Sequence, residues 1–264
     1  MSDPTSRDGS ADPAPALSAR GVVRRRGPLP VLDGIDLRVA PHELVALVGP
    51  SGCGKSTLLE LVCGLQAPDG GTLRARPAAL MPQRDLLLPW LDARDNVGLP
   101  LRLAGRDRRA ARAAAGELLE RVGLERFARS RPDQLSGGMR QRVSFLRALA
   151  TERELLCLDE PFGALDAITR EELRRWLAAR LRERPRSVLL VTHDVEEAAL
   201  LGDRVVVLGP RPARVVAEVA VDAGPALERE PTDPPVVAAR REIHAALHAA
   251  IAAGRAAEAK AGPA

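Results

Sequence analysis

GPSGCGKSTLLE, residues 49–60, decides the reading of this chain. It sets Gly49 and Gly54 ahead of Lys55, Ser56 and Thr57, then runs into an apolar segment. The pattern is G-x-x-x-x-G-K-[ST], and it lies in the context that motif needs, between a strand and a helix. Upstream, ELVALVG (43–49) is a nearly unbroken apolar run, the pattern of a strand covered on both faces. Downstream, STLLELVCGL (56–65) has helical periodicity. A structural turn needs one or two glycines. The loop made by Gly49, Pro50, Ser51, Gly52, Cys53, Gly54, Lys55, Ser56 and Thr57 instead suits a ligand. Successive backbone N–H groups and the helix start behind them favour phosphate oxygens. Lys55 can reach β- and γ-phosphates, and the Ser56 hydroxyl can ligate magnesium. Cys53 is either a small filler or a helix-start thiol with a lowered pKa.

A second element of the chemistry is RELLCLDE (153–160), a buried strand that ends on Asp159 and Glu160. Acids delivered at the C-terminal end of a strand stand where open α/β sheets bind ligands. Asp159 is placed to hold magnesium and Glu160 to polarise the water attacking the γ-phosphate. The competing reading is that both acids cap the turn PFGALD. SVLLVTHD (187–194) is a further buried strand with a polar end.

Around these motifs the chain alternates strands and helices, which indicates a parallel α/β sheet. GVVRRR and VLDGIDLRV form an expected strand pair; GTLRA and AALMPQ are short strands, the second ending at Gln83; RVVVLG is another. Residues 84–150 read as a mostly helical insertion, and AITREELRRWLAARLRER as an amphipathic helix capped by Asp166. The expected divisions are a disordered tail over 1–16, a core domain over 17–225 and a C-terminal helical tail over 226–264. The chain has 264 residues, enough for one large domain, and its 45% hydrophobic content with only 2% aromatics predicts a core of Leu, Val and Ala. Thirty-nine basic and 35 acidic side chains leave a net charge of +4, which does not argue for nucleic acid. Three cysteines lack disulfide or zinc spacing and fit a reducing compartment. No apolar run reaches the ~20 residues of a membrane-crossing helix, and the N-terminus has no signal-peptide core. His244 and His248 read as a solvated helix face rather than a metal pair.

LSGGMRQR (135–142) resembles the signature motif of the ATP-binding-cassette (ABC) ATPases, and it lies upstream of the acid pair as in that family. Alone, the run reads equally as a helix cap. With the phosphate loop, LLCLDE and VTHD it becomes specific, and the resemblance covers residues 17 to about 215. It implies an α/β P-loop NTPase fold of the ABC nucleotide-binding type with an inserted helical subdomain, using ATP and magnesium. It implies that Ser136, Gly137 and Gly138 face ATP held by a second copy, and that Asp166 crosses that interface. It further implies that Gln83 senses magnesium and the attacking water, and that His193 touches the γ-phosphate.

Two positions depart from the family pattern. An aromatic residue usually stacks on adenine; here that position falls on Arg26, whose guanidinium either stacks or points to solvent. His42 stands where glycine is common, and histidine is among the better-tolerated residues if that turn needs φ > 0.

The run QRDLLLPWLDARDNVGLPL (83–101) places Leu86, Leu87, Leu88, Pro89 and Trp90 beside Gln83. These either pack beneath the helical insertion or line a docking groove. The resemblance favours docking, because the region receives a cytoplasmic helix of an integral membrane permease. LLLPW and LDEPFGALDAITREEL are most similar to ATPases of nitrate, sulfonate and taurine importers. The implied protein is a peripheral ATPase on the cytoplasmic face of the cell membrane, working with a permease and, indirectly, a substrate-binding protein. An importer ATPase for an amino acid, a metal or a thiamine precursor is the alternative. The chain lacks the sustained heptads of chromosome ATPases and the tandem domains of ribosomal cassettes.

Overall fold

In a computed structural model, residues 14–261 are described, with side chains to 256. Residues 1–13 of the tail expected over 1–16, and the last three residues, lie outside them. Ala16, assigned to that tail, is buried, and its N–H donates to the Val39 carbonyl at 2.8 Å.

Two sheets carry the fold. Strands β1 (Leu17–Arg26), β2 (Leu29–Val39) and β4 (Gly70–Ala75) form an antiparallel sheet in the order β2-β1-β4. The second sheet contains β3 (Leu44–Val48), β5 (Ala78–Met81), β6 (Leu155–Asp159), β7 (Ser187–Val191), β8 (Arg204–Leu208) and β9 (Val215–Ala220) in the order β5-β6-β7-β3-β8-β9. All its pairings are parallel except β8 with β9. Every residue of β3, β6 and β7 is buried, which explains their unbroken apolar sequences.

Helix α1 (Lys55–Val62) sits between the sheets, burying Leu58, Leu59, Leu61 and Val62 against residues such as Leu17, Leu32, Leu47 and Leu189. On the opposite face, α2 (Ala93–Leu103), α3 (Arg108–Arg121), α4 (Gly137–Leu149) and α5 (Ala167–Glu183) share one apolar core with β5, β6 and β7. Of these, α2, α3 and α4 fall within the inserted helical subdomain. Asp92, Asp107 and Ser136 cap α2, α3 and α4 by accepting from backbone N–H groups of the first turn. The core is mainly Leu, Val and Ala, but Phe145 and Phe162 are fully buried in it and Trp176 packs against them, so the few aromatics are concentrated there.

Three expectations change. Strand β5 ends at Met81, and Gln83 lies in the bend beyond it, because Pro82 has no N–H for the ladder. The strand β9, absent from the sequence reading, closes the sheet edge. The C-terminal segment is more than a tail: α7 (Pro234–Ala261) buries Val236, Ala239 and Ile243 in a core shared with α6 (Val195–Leu201), β8 and β9.

Candidate functional site

Strand β3 delivers the phosphate loop, and close packing dictates its glycines. A Cβ on Gly49 would lie 2.9 Å from the Leu208 carbonyl oxygen. Gly54, the residue before α1, has φ of 126° and would place a Cβ 2.8 Å from Leu32. Lys55 folds back across the loop, its Nζ donating to the Gly49 and Pro50 carbonyls at 2.7 and 3.0 Å. Cys53 is buried, and burial pushes its thiol above the usual pKa despite nearby Lys55. Burial thus favours the filler reading of Cys53 over the activated-thiol one.

Parallel strands β6 and β7 are neighbours, so their C-terminal ends bring Asp159, Glu160 and His193 together beside α1. Asp159 is buried; burial raises its carboxyl pKa, while a hydrogen bond from Ser56 opposes the shift. Glu160 has φ of 50°, a left-handed conformation costly for a residue with a side chain. Its N–H donates to the Val191 carbonyl at 2.8 Å, and its Oε2 lies 2.6 Å from Nδ1 of solvent-facing His193. From α4, Gln141 donates to the Glu160 carbonyl at 3.0 Å. The helix that follows LSGG therefore fixes the backbone of the glutamate. Below His193, Thr192 donates to Glu197, whose carboxyl burial raises to about 7.

A cavity of about 350 Å³ runs along these groups. Its lining includes Ser51, Gly52, Gly54, Lys55, Ser56, Thr57, Gln83, Asp159 and Glu160, with Arg26 and Val31 at the β1–β2 side and Arg211 by Gly52. Arg211 was not foreseen from the sequence. A larger cleft of about 490 Å³ lies between α3 and α5, lined by mixed Arg and Glu residues, but none of the loop or acid-pair residues reaches it.

The ABC transporter family profile matches residues 32–163. A taurine import ATP-binding protein, TauB of Sinorhizobium fredii, is 48% identical over 198 residues, covering 72% of this chain and 74% of its own length. The formylaminopyrimidine import ATP-binding protein ThiZ of Halalkalibacterium halodurans is 44% identical, covering 73% of this chain and 78% of its own. Among solved structures, the dimeric post-hydrolysis state of the cassette MJ0796 bound to ADP and Pi superposes with a TM-score of 0.71 at 30% identity, over 77% of this chain and 98% of that one. The chain belongs to the ABC transporter ATPases.

As an ABC ATPase, it is an ATP-hydrolysing importer subunit of the type represented by these relatives. Ser136, Gly137, Gly138 and Asp166 do not line the cavity. They sit at the starts of α4 and α5, where Ser136 Oγ accepts from Met139 N–H at 3.3 Å and Asp166 accepts from Thr169 N–H at 3.0 Å. Those Thr169 contacts hold the Asp166 carboxyl below its usual pKa. His42 has φ of 64°, the conformation for which histidine is tolerated.

Arg26 is tied to α1, with Nη2 3.4 Å from Thr57 Oγ1 and 4.0 Å from a Glu60 carboxylate oxygen. It lines the cavity and its side chain is 62% exposed. Arg26→Tyr is expected to tighten ATP binding by roughly 1 kcal/mol, near the low end of aromatic stacking, because it replaces a guanidinium that already offers a plane. Parallel ATP and GTP titrations check this; unchanged affinities for both would place Arg26 away from the base.

In the LLLPW segment Trp90 is 69% exposed and Leu86 is also exposed, while Leu87 is buried. Asn96 fixes the segment by accepting from Leu88 N–H at 2.9 Å and donating to the Leu88 and Leu91 carbonyls. Arg147 donates to the Leu86 and Asp85 carbonyls, both at 2.9 Å. Trp90 is therefore a surface side chain on a braced loop, not a core residue.

Proposed function

We propose that the cavity binds ATP with magnesium and that two copies of the chain close on two nucleotides to drive import of taurine, another sulfonate or a related small anion. The contact of Glu160 with His193, beside Lys55 and the Ser56–Asp159 pair, supports the hydrolytic reading best. In this reading the loop N–H groups and Lys55 hold the β- and γ-phosphates. Glu160 accepts the proton of the attacking water, and His193 orients its carboxylate. In the same reading Gln83, which also lines the cavity, holds that water. Ser136, Gly137, Gly138 and Asp166 act on the nucleotide of the second copy, consistent with their place outside this chain's own cavity.

The donor set fits magnesium. Among the described residues there is no cluster of three or more His, Cys, Asp or Glu that would cage a metal. Ser56 and Asp159 both line the cavity and offer two side-chain oxygens, and magnesium is commonly held by one or two protein oxygens plus substrate phosphates and water. When bound there, the ion would neutralise charge on the phosphates.

Among the described residues no helix is long and apolar enough to cross a membrane. In this reading the chain works at the cytoplasmic face with a permease, which takes cargo from a substrate-binding protein, as the likeness to the import ATP-binding relatives supports. The exposed Trp90 beside Leu86 suits the permease contact. Trp90→Ala is expected to weaken permease capture by about 2 kcal/mol or more, with ATP hydrolysis by the isolated subunit and its melting nearly unchanged. Pull-down with the membrane subunit alongside thermal melting checks this. Undiminished capture would remove Trp90 from the interface. The likeness to ThiZ, named for formylaminopyrimidine import, supports a second cargo reading outside the anions. Ligand screening of the co-purifying binding protein separates the two.

A further inference from the structure

Arg211 lies 159 residues from Gly52 in sequence, yet its guanidinium donates to the Gly52 carbonyl and lines the cavity beside Ser51, Gly52 and Lys55. The side chain comes from the turn between β8 and β9, and that turn is fixed on two sides. Toward β2, Ala213 N–H donates to the Val31 carbonyl at 2.9 Å, and Asp33 N–H donates to the Ala213 carbonyl at 3.0 Å. Arg214 adds an ion pair with Asp33. Toward α7, Pro210 packs so closely on Gly254 that a Cβ there would lie 2.4 Å from the proline ring. The strand that anchors the turn also supplies Val31 and Leu32, which flank Gly54 of the phosphate loop.

The charges around the cavity are unevenly paired. Arg26 has Glu60 within ion-pair distance, and Arg214 has Asp33. Lys55 spends its ammonium on two loop carbonyls. Among the described residues Arg211 has no carboxylate partner, and only its bond to Gly52 engages it. A guanidinium presents five N–H donors in a planar fork that matches phosphate oxygens. One edge on a loop carbonyl leaves the other free for an anion, and the braced turn limits the entropy lost when it binds one.

We propose that Arg211 is a phosphate-recognising residue of the nucleotide site, keeping one edge on the Gly52 carbonyl and donating the other to a phosphate oxygen of the bound nucleotide. The inference rests on the reading of this cavity as the ATP site. It makes the β8–β9 turn a part of the binding machinery and ties α7, through Pro210 and Gly254, to the phosphate loop.

The test is calorimetric titration of the full chain with MgATP, comparing wild type, Arg211→Ala and Arg211→Lys at about 0.05 M and about 0.5 M salt. Arg211→Ala is expected to weaken MgATP about tenfold at low salt, with the deficit shrinking to about threefold at high salt, as a screened charge pair requires. Arg211→Lys keeps the charge but loses the fork, and is expected to lose only about threefold at low salt. Should the alanine variant fail to fold, Arg211→Gln, which removes the charge but keeps a polar side chain, carries the same comparison at the two salts. A loss that is the same at both salts would make Arg211 a brace of the loop only and overturn the proposal, as would an unchanged affinity. A wild-type chain that binds no MgATP would overturn the ATP reading itself, a different result from wild-type binding with an unaltered variant.

Discussion

Glu160→Gln is expected to bind MgATP normally and to lower its turnover by about 10²–10⁴-fold, the range supplied by a general base. The amide keeps the size and the loop geometry but cannot accept the proton of the attacking water. The backbone of residue 160 is held independently of its carboxylate, by the Val191 carbonyl on one side and Gln141 on the other, so the variant keeps the left-handed turn. His193 loses a carboxylate at 2.6 Å but keeps a carbonyl oxygen of the same reach. With hydrolysis blocked, two chains are expected to remain closed on ATP, and size measurement with and without MgATP reads this directly. A variant that stays monomeric in both conditions would count against the two-copy site. A variant that hydrolyses at the wild-type rate would remove Glu160 as the base.

Much of that site was legible because its chemistry is written locally. Gly49 to Thr57 are contiguous, and their spacing carries the loop geometry without tertiary information. Asp159 and Glu160 could be placed because an apolar strand runs straight into them. Their meeting with His193 follows once β6 and β7 are known to be parallel neighbours, since both strands end at the same edge. What escaped depends on contacts distant in sequence. Gln141 reaches Glu160 across 19 residues and Arg211 reaches Gly52 across 159, and neither has a local pattern that announces its partner. Gln83 was misplaced by two residues although Pro82 carried the signal that ends the strand. The apolar stripe Val236, Ala239 and Ile243 was present in the last segment, but its reading as a tail missed the partner face that β9 and α6 provide. Trp90 was undecidable from sequence, because an apolar run around a proline has the same composition whether it is covered by its own chain or by another.

Phe145→Ala is expected to cost about 3–5 kcal/mol of folding stability, the range for truncating a buried aromatic ring. Phe145 is fully buried on α4, with its ring centroid 5.7 Å from Phe162 and 6.0 Å from Trp176 in tilted and edge-on arrangements. Three of the five aromatic residues outside histidine thus meet at one point. They join the helix that starts at Ser136, the turn just after Glu160, and α5, which starts at Asp166. The same substitution loosens α4, and with it Gln141 and its hold on the Glu160 carbonyl, so turnover is expected to fall along with stability while MgATP binding at the α1 loop is less affected. Phe145→Leu, which retains most of the volume, is expected to lose less of both. Denaturant unfolding of the two variants, followed by hydrolysis measured well below their midpoints, separates the effects. A stability loss below about 1 kcal/mol for the alanine variant would mean that the junction repacks freely and that α4 is held by its other contacts. Lowered stability with wild-type turnover would mean that Gln141 keeps its place without the aromatic junction, leaving the coupling from the signature helix to Glu160 to the hydrogen bond alone.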